Sequence, residues 1–161
     1  MRRPFLILPV LASLALGGCI MVDETTVVGP AGDVAQFHRG VDWAPDSAPP
    51  YSAAVSHDGL VYLAGTLGFK PGTREVADGI KAQTELALQS IAENLDAHGA
   101  DLSSVVTCTA YLTDMAEYGA FNEVYASYFP TDPPARTTVG VASLPLGAKV
   151  EIACVAAQTG L

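Results

Sequence analysis

The chain has 161 residues, half of them apolar, and a formal net charge of −9 at pH 7. This length and apolar fraction suit a single globular domain. An acidic surface repels phosphate backbones, so the composition argues against nucleic acid as a partner.

The N-terminus has the features of a bacterial lipoprotein signal. Arg2-Arg3 precedes an apolar run, residues 5–16, that is too short for a stable transmembrane anchor. Leu16-Gly17-Gly18-Cys19 then resembles a lipobox, in which the cysteine is diacylated and becomes the first mature residue. We therefore predict that residues 1–18 are a signal peptide and that Cys19 carries lipid. An ordinary signal peptide that happens to contain a cysteine is the alternative.

The residue after Cys19 bears on the destination of the exported protein. Ile20 stands there rather than aspartate, which by the sorting rule of enteric bacteria favours the outer membrane, facing the periplasm. Removal of residues 1–18 leaves six basic and seventeen acidic side chains, a net charge of −11. The mature protein is thus even more acidic than the full chain.

Residues 19–48 predict a tether between the lipid and the domain. They are rich in turn-forming residues and show no sustained periodicity. Phe37, His38 and Trp43 are the exceptions, and we expect them to let the later half of the tether pack onto the domain. The folded domain is predicted to span residues 49–161.

The first part of the domain predicts a hairpin and a helix. His57-Asp58-Gly59 lies between two strand-like runs, residues 52–56 and 60–64, and Asp-Gly in that setting is a strong hairpin signal. Apolar side chains at helical spacing over residues 78–98, with Gly99 at the position of a C-terminal cap, predict an amphipathic helix.

The second part predicts a strand, a helix and two more strands. Residues 105–112 alternate, with Val106 and Cys108 assigned to one face and Val105 and Tyr111 to the other. Asp114 and Glu117 resemble a capping box before a helix that ends at Pro130, and strand-like runs follow at 137–142 and 148–156. This order predicts an α+β domain in which two helices cover one face of a mixed sheet. The other face would need a separate cover.

The cysteines and histidines give no sign of a metal site. Cys108 and Cys154 lie on apolar strand faces and are interpreted as buried free thiols, with a disulfide as the alternative if the two strands are adjacent. The three histidines show no ligand spacing, so no metal is predicted.

Two charged residues near the C-terminus indicate a binding site. Arg136 lies in Pro134-Ala135-Arg136-Thr137-Thr138, and Glu151 follows fifteen residues later in a largely apolar strand. A guanidinium matches a carboxylate, and a glutamate can hold a water or accept a proton. An unpaired buried carboxylate is costly, so Glu151 needs Arg136 or water as a partner. A surface or intersubunit ion pair is the alternative role for Arg136.

These motifs resemble the C-terminal signature of the RidA/YjgF family of reactive-intermediate deaminases, in which a Pro-Ala-Arg-Ser segment precedes a Glu-Ile segment at this spacing. The resemblance extends from about Pro49 to Gln158. It implies a chorismate-mutase-like fold and a homotrimer whose sheets surround a central barrel, with ligand sites in the clefts between subunits.

The resemblance also implies roles for individual residues. Arg136 would bind the substrate carboxylate and Glu151 would position water. Tyr51 and Asn122 match family positions at the pocket, and Gly65 would offer its backbone N–H. Thr138 stands at a binding position where many members have cysteine. Packing alone is the alternative for Tyr51, and a structural hydrogen bond is the alternative for Asn122.

Some pocket positions differ from the family pattern. Ala64-Gly65-Thr66 replaces the common Ser-Gly-Gln, and Thr137 replaces the serine after the arginine. Binding of a small carboxylate is therefore better supported than any particular substrate.

The resemblance implies hydrolysis of small 2-imino or enamino acids to 2-keto acids and ammonia, without a metal or organic cofactor. Two alternatives stay open at this point. The protein could be a non-catalytic module that binds small carboxylates in the cell envelope, or a structural trimer that presents three lipid anchors.

Overall fold

The computed structural model describes residues 27–28, 34–40 and 48–159. The strands are β1 (Val27–Val28), β2 (Val34–His38), β3 (Ala54–His57), β4 (Leu60–Leu63), β5 (Thr66–Leu67), β6 (Val105–Leu112), β7 (Ala135–Gly140) and β8 (Val150–Ala157), and the helices are α1 (Gly79–Ala97) and α2 (Tyr118–Tyr128). The predicted signal peptide, Cys19 and Trp43 lie outside the described residues. Within the described ranges, no helix is both long and apolar enough to cross a bilayer.

The strands form one mixed sheet in the order β1-β2-β3-β4-β8-β6-β7, and β5 pairs with β8 beyond the end of β4. The pair β6–β7 is parallel, whereas β8 is antiparallel to its neighbours β4, β5 and β6. β7 therefore lies at one end of this strand order. The predicted α+β fold, with two helices on one face of a mixed sheet, is confirmed.

The hairpin and the first helix form as the sequence predicts. Asp58 and Gly59 connect β3 to β4 with positive φ angles of 53° and 72°, which is the geometry of a tight two-residue hairpin turn. α1 buries one apolar stripe against the sheet, and Gly99 follows its end with a φ of 70°.

The predicted capping box before α2 forms only in part. Asp114 accepts a hydrogen bond from the Ala116 N–H at 2.9 Å and so caps a short 3-10 turn that precedes α2. Glu117 does not reach back to the cap, because its carboxylate accepts a 2.9 Å hydrogen bond from Lys149 Nζ. α2 begins directly after this turn.

The assignment of faces at the start of β6 was wrong. Val105 is buried and Val106 is 52% exposed, because the register with β8 shifts between Val105 and Thr107. A bulge of this kind adds one residue and reverses the alternation before it. From Cys108 onwards the strand alternates as predicted, with Tyr111 on the sheet face away from the helices.

The face of the sheet opposite the helices, here called the open face, has no cover within the described chain. Phe37, Tyr62 and Val139 lie on it with 38–42% of their surface exposed. Phe37 reaches it because β2 pairs with β3, and His38 adds a 3.0 Å hydrogen bond between its Nε2 and Ser56 Oγ. This part of the predicted tether therefore packs onto the domain. The homotrimer stays a prediction.

The two core cysteines form a disulfide, so their interpretation as free thiols was wrong. Cys108 of β6 lies directly opposite Cys154 of β8, and their Cα atoms are 4.1 Å apart. Each cysteine is 1% exposed. The strand order, which the sequence did not reveal, is what brings the thiols together.

Replacing both cysteines should destabilise the domain. The disulfide closes a loop over a sequence separation of 46 residues, and loss of such a constraint on the unfolded chain predicts a decrease of about 4 kcal/mol in the free energy of unfolding for Cys108→Ala/Cys154→Ala. Urea unfolding of the variant and the oxidised wild type measures the difference. Equal stabilities would contradict the disulfide.

Candidate active site

Arg136 lies on β7 with its side chain on the helix face. It is paired with Cys108, which is buried under the helices, and side chains of paired residues point to the same face. Its Nη2 donates hydrogen bonds to Asn122 Oδ1 at 2.6 Å and to Tyr118 Oη at 3.1 Å. Both acceptors belong to α2, so the helix fixes the guanidinium.

Three aromatic rings of α2 surround the same guanidinium. Its central carbon lies 4.4 Å from the ring centroid of Tyr125, 5.1 Å from Phe121 and 5.8 Å from Tyr118. Aromatic faces attract a cation without neutralising its charge. No carboxylate in residues 27–28, 34–40 or 48–159 forms an ion pair with Arg136. Its positive charge therefore remains available to an anion.

The pKa values of the two tyrosines near Arg136 are shifted in opposite directions. Hydrogen bonds from Asn122 and Arg136, together with the positive charge of Arg136, lower the pKa of Tyr118. Burial raises the pKa of Tyr125, whose hydroxyl is buried and has no hydrogen-bond partner in the described part of the chain. The surroundings of Arg136 are therefore polar on the side of Tyr118 and buried away from water on the side of Tyr125.

A pocket of about 400 Å³ opens beside the guanidinium. Its lining residues come from α2 and the segment that leads into β7: Asn122, Tyr125, Ala126, Phe129, Pro133, Pro134 and Arg136. Apart from the arginine and the asparagine, the walls are mainly aromatic rings, prolines and an alanine. The pocket is suited to a molecule with one anionic group and an apolar part.

Thr138 follows Arg136 on the same face of β7, opposite Ala110. Its hydroxyl is buried and has no hydrogen-bond partner among the described residues. Thr137, between them, points to the open face and is exposed. Thr138 is thus the threonine placed on the same side of the sheet as the arginine.

Glu151 lies on the open face, where it is paired with Tyr111 of β6. Its carboxylate packs against the backbone of Gly65, so that a methyl group at Gly65 would overlap it. Burial raises the pKa of the Glu151 carboxyl group. Within the described residues no side chain forms a hydrogen bond or an ion pair with it, so the expectation that Arg136 could be its partner fails within one chain.

The last residue of the predicted site, Tyr51, lies in the segment before β3, and Thr66 follows Gly65. The Ala64 N–H donates to the Ala53 carbonyl at 2.9 Å, which ties the segment before β3 to the residue that precedes Gly65. Tyr51 precedes this contact by two residues and is 58% exposed. Thr66 directs its hydroxyl to the Ala64 carbonyl at 3.2 Å, so the hydroxyl is engaged by the backbone.

Five of the six predicted site residues, all except Tyr51, therefore form two groups. The arginine group, Arg136 with Asn122 and Thr138, lies on the helix face at β7, and the glutamate group, Glu151 with Gly65, lies on the open face. Sequence reasoning missed Tyr118 and the role of Tyr125 beneath the guanidinium. The available signal was their spacing on α2 around Asn122, which fits core packing equally well.

Together, the fold and these two groups define a small α+β domain with an arginine on a terminal strand, without an ion-pair partner among the described residues, and a glutamate on the open face. The chain belongs to the RidA/YjgF family, which is described as Endoribonuclease L-PSP and matches residues 42–158. The resemblance seen in the sequence is thereby confirmed.

Individual relatives agree with this assignment. Reactive Intermediate Deaminase A of Arabidopsis thaliana is 48% identical over 70% of this chain, which spans 61% of the length of the plant protein. The 2-iminobutanoate/2-iminopropanoate deaminase of Mus musculus is 40% identical, with 71% of this chain and 86% of the mouse protein aligned. The crystal structure of RidA from an Antarctic Psychrobacter species superimposes with a TM-score of 0.69 at 37% identity, covering 76% of this chain and 99% of that one.

Substituting Gly65 should displace the Glu151 carboxylate without unfolding the domain. In Gly65→Ala the new methyl group meets the far end of a flexible side chain, so we expect the carboxylate to move while the melting temperature changes little. Gly119→Ala is the control, because a methyl group there has open space. A crystal structure and thermal unfolding of each variant are the measurements. An unmoved carboxylate in Gly65→Ala would contradict the contact, and unfolding of this variant would contradict the expectation that the Glu151 side chain can move aside.

Proposed function

We propose that the protein hydrolyses small 2-imino acids, the tautomers of enamino acids, to 2-keto acids and ammonia. The observation that carries this proposal is the environment of Arg136, a guanidinium held by neutral partners with no carboxylate paired to it in the described chain. Such a group is prepared to bind a carboxylate. The names of the Arabidopsis and mouse relatives support an imine as the substrate.

The chemistry needs only the residues of the two groups. Arg136 would hold the substrate carboxylate and thereby fix C2 in position. Glu151 would orient a water, accept one of its protons as the oxygen bonds to C2, and pass that proton to the nitrogen, which gives a carbinolamine. It would then move the proton of the new hydroxyl group to the nitrogen as the C=O bond forms, so that the C–N bond breaks and ammonia leaves. Burial raises the pKa of Glu151 and makes the ionised carboxylate a stronger base. No step requires a cofactor.

The two groups cannot meet within one chain, because their side chains point to opposite faces of the sheet. The proposal therefore includes assembly. Arg136 lies on the last strand of the sheet order, where a second copy can approach it, and the open face that carries Glu151 has exposed apolar side chains to cover. Packing β7 of one copy against the open face of the next would join both groups. The homotrimer expected for the family offers three such sites.

Complementation between inactive subunits tests this arrangement. Arg136→Ala and Glu151→Gln should each abolish turnover of freshly generated 2-iminobutanoate. When equal amounts are co-assembled, about a quarter of the sites receive an intact arginine from one copy and an intact glutamate from the next, so about a quarter of wild-type activity should return. Keto-acid release is the readout.

The controls separate assembly from catalysis. In the control, both substitutions are placed in one chain, and this double variant is co-assembled with wild type. The mixture should show only reduced activity, because the double variant supplies neither an intact arginine nor an intact glutamate. If the wild-type trimer shows turnover but the mixture of Arg136→Ala and Glu151→Gln recovers no activity, a site shared between copies is refuted. Absence of turnover in a folded wild-type trimer would refute the hydrolase.

A binding module that lacks catalysis is the second candidate, and the separation of the two groups favours it. A chain that does not bring Glu151 to Arg136 would retain carboxylate binding and lose hydrolysis. An endoribonuclease, as in the description of the family, is disfavoured by the net charge of −9, which repels a phosphate backbone.

We further propose that the protein is exported and lipid-anchored through Cys19, in the outer membrane facing the periplasm. The lipobox-like Leu16-Gly17-Gly18-Cys19 supports the anchor. The buried Cys108–Cys154 disulfide is in keeping with an oxidising compartment, since such bonds are rare in the cytosol of mesophiles.

Substitution of Cys19 tests the anchor. The wild type expressed in a Gram-negative host should incorporate labelled palmitate and sediment with outer membranes, whereas Cys19→Ser should lose the label. Cys108→Ser/Cys154→Ser is the matched control, because it removes two cysteines and keeps Cys19. Equal labelling of wild type and Cys19→Ser would refute lipidation at this residue, and label in the inner membrane would refute the destination.

A further inference from the structure

Tyr118 begins α2 and is 37% exposed, yet its hydroxyl is engaged at the candidate site. It accepts a 3.1 Å hydrogen bond from Arg136 Nη2, the same nitrogen that donates to Asn122 Oδ1 at 2.6 Å. Tyr118 and Asn122 are four residues apart and so lie on the same side of the helix. Tyr118, which was not predicted as a site residue, thus binds the same arginine as Asn122 of the predicted site.

Two acceptors on one nitrogen restrict the guanidinium strongly. They fix its rotation in its own plane, while the rings of Tyr125 and Phe121 fix its tilt. A guanidinium carries five N–H groups, so two bonds to α2 leave three for an anion. An arginine that is already ordered loses less side-chain entropy when it binds a ligand.

We propose that Tyr118 is a positioning residue, whose hydroxyl works with Asn122 to hold Arg136 in the orientation that receives the substrate carboxylate. The inference rests on the proposed function and deepens it. Because the carboxylate does not change during hydrolysis of the imine, the clamp acts equally on substrate and transition state. Its loss should therefore raise KM and leave kcat nearly unchanged.

The test compares Tyr118→Phe with Tyr128→Phe. The first keeps the ring beside Arg136 and removes only the hydroxyl. The second removes a hydroxyl from the same helix that donates to the Glu85 carbonyl at 3.3 Å, away from the arginine. Affinity for 2-oxobutanoate, measured by calorimetry on the assembled protein, and turnover of 2-iminobutanoate are the readouts.

For Tyr118→Phe we expect about three- to tenfold weaker binding of 2-oxobutanoate and an equal rise in KM, with kcat within about twofold of wild type. Tyr128→Phe should match wild type in all three quantities. Unchanged or tighter binding in Tyr118→Phe would overturn the proposal, and so would a fall in kcat at unchanged KM. If wild type binds 2-oxobutanoate but does not turn over 2-iminobutanoate, the proposed hydrolase activity is refuted. The ratio of the affinities of Tyr118→Phe and wild type for 2-oxobutanoate then still tests the role of Tyr118. If wild type neither binds 2-oxobutanoate nor turns over 2-iminobutanoate, both proposals fail.

Discussion

The two-residue period of β8 is the constraint on which the arrangement of the site depends. Val150, Ile152, Cys154 and Ala156 alternate into the core, and Glu151 lies between the first two on the open face. A slip of one residue would turn Glu151 under the helices, where an unpaired carboxylate is costly. The disulfide from Cys154 to β6 fixes this register covalently. A bond in the core thus keeps a charged group on the opposite side of the sheet.

Arg136 is stabilised without being neutralised. A carboxylate partner in the chain would hold it more strongly but would compete with an anionic ligand. Instead α2 supplies two neutral acceptors and aromatic faces, and each such face contributes about 0.5–1 kcal/mol at a partly exposed site. The result is a local positive site on a protein of net charge −9. Under the proposed function, this site would favour a small anion over a polyanion, because a long negative polymer meets the acidic surface as well.

The fold could be predicted from the sequence because the strongest sequence signals for its elements are local. Asp58-Gly59 specifies a hairpin turn, and the apolar spacing of α1 specifies a helix, each through neighbouring residues alone. The bulge at Val106 and the pairing of Cys108 with Cys154 were missed because both depend on which strands become neighbours. Arg136 and Glu151 were identified by residue type and by family resemblance. Alternation in β8 indicates the face of Glu151, but the face of Arg136 depends on the pairing of β7 with β6, which no local pattern encodes.

The position of Arg136 on the last strand of the sheet order makes any reaction that also needs Glu151 a property of the assembly. Dilution that separates the copies would then switch the reaction off while every chain remained folded. With the proposed lipid anchor at Cys19, the relevant concentration would be the number of copies per area of bilayer. Confinement to that plane raises the effective concentration of neighbours, so the anchor would help to complete the active site as well as to determine where it works.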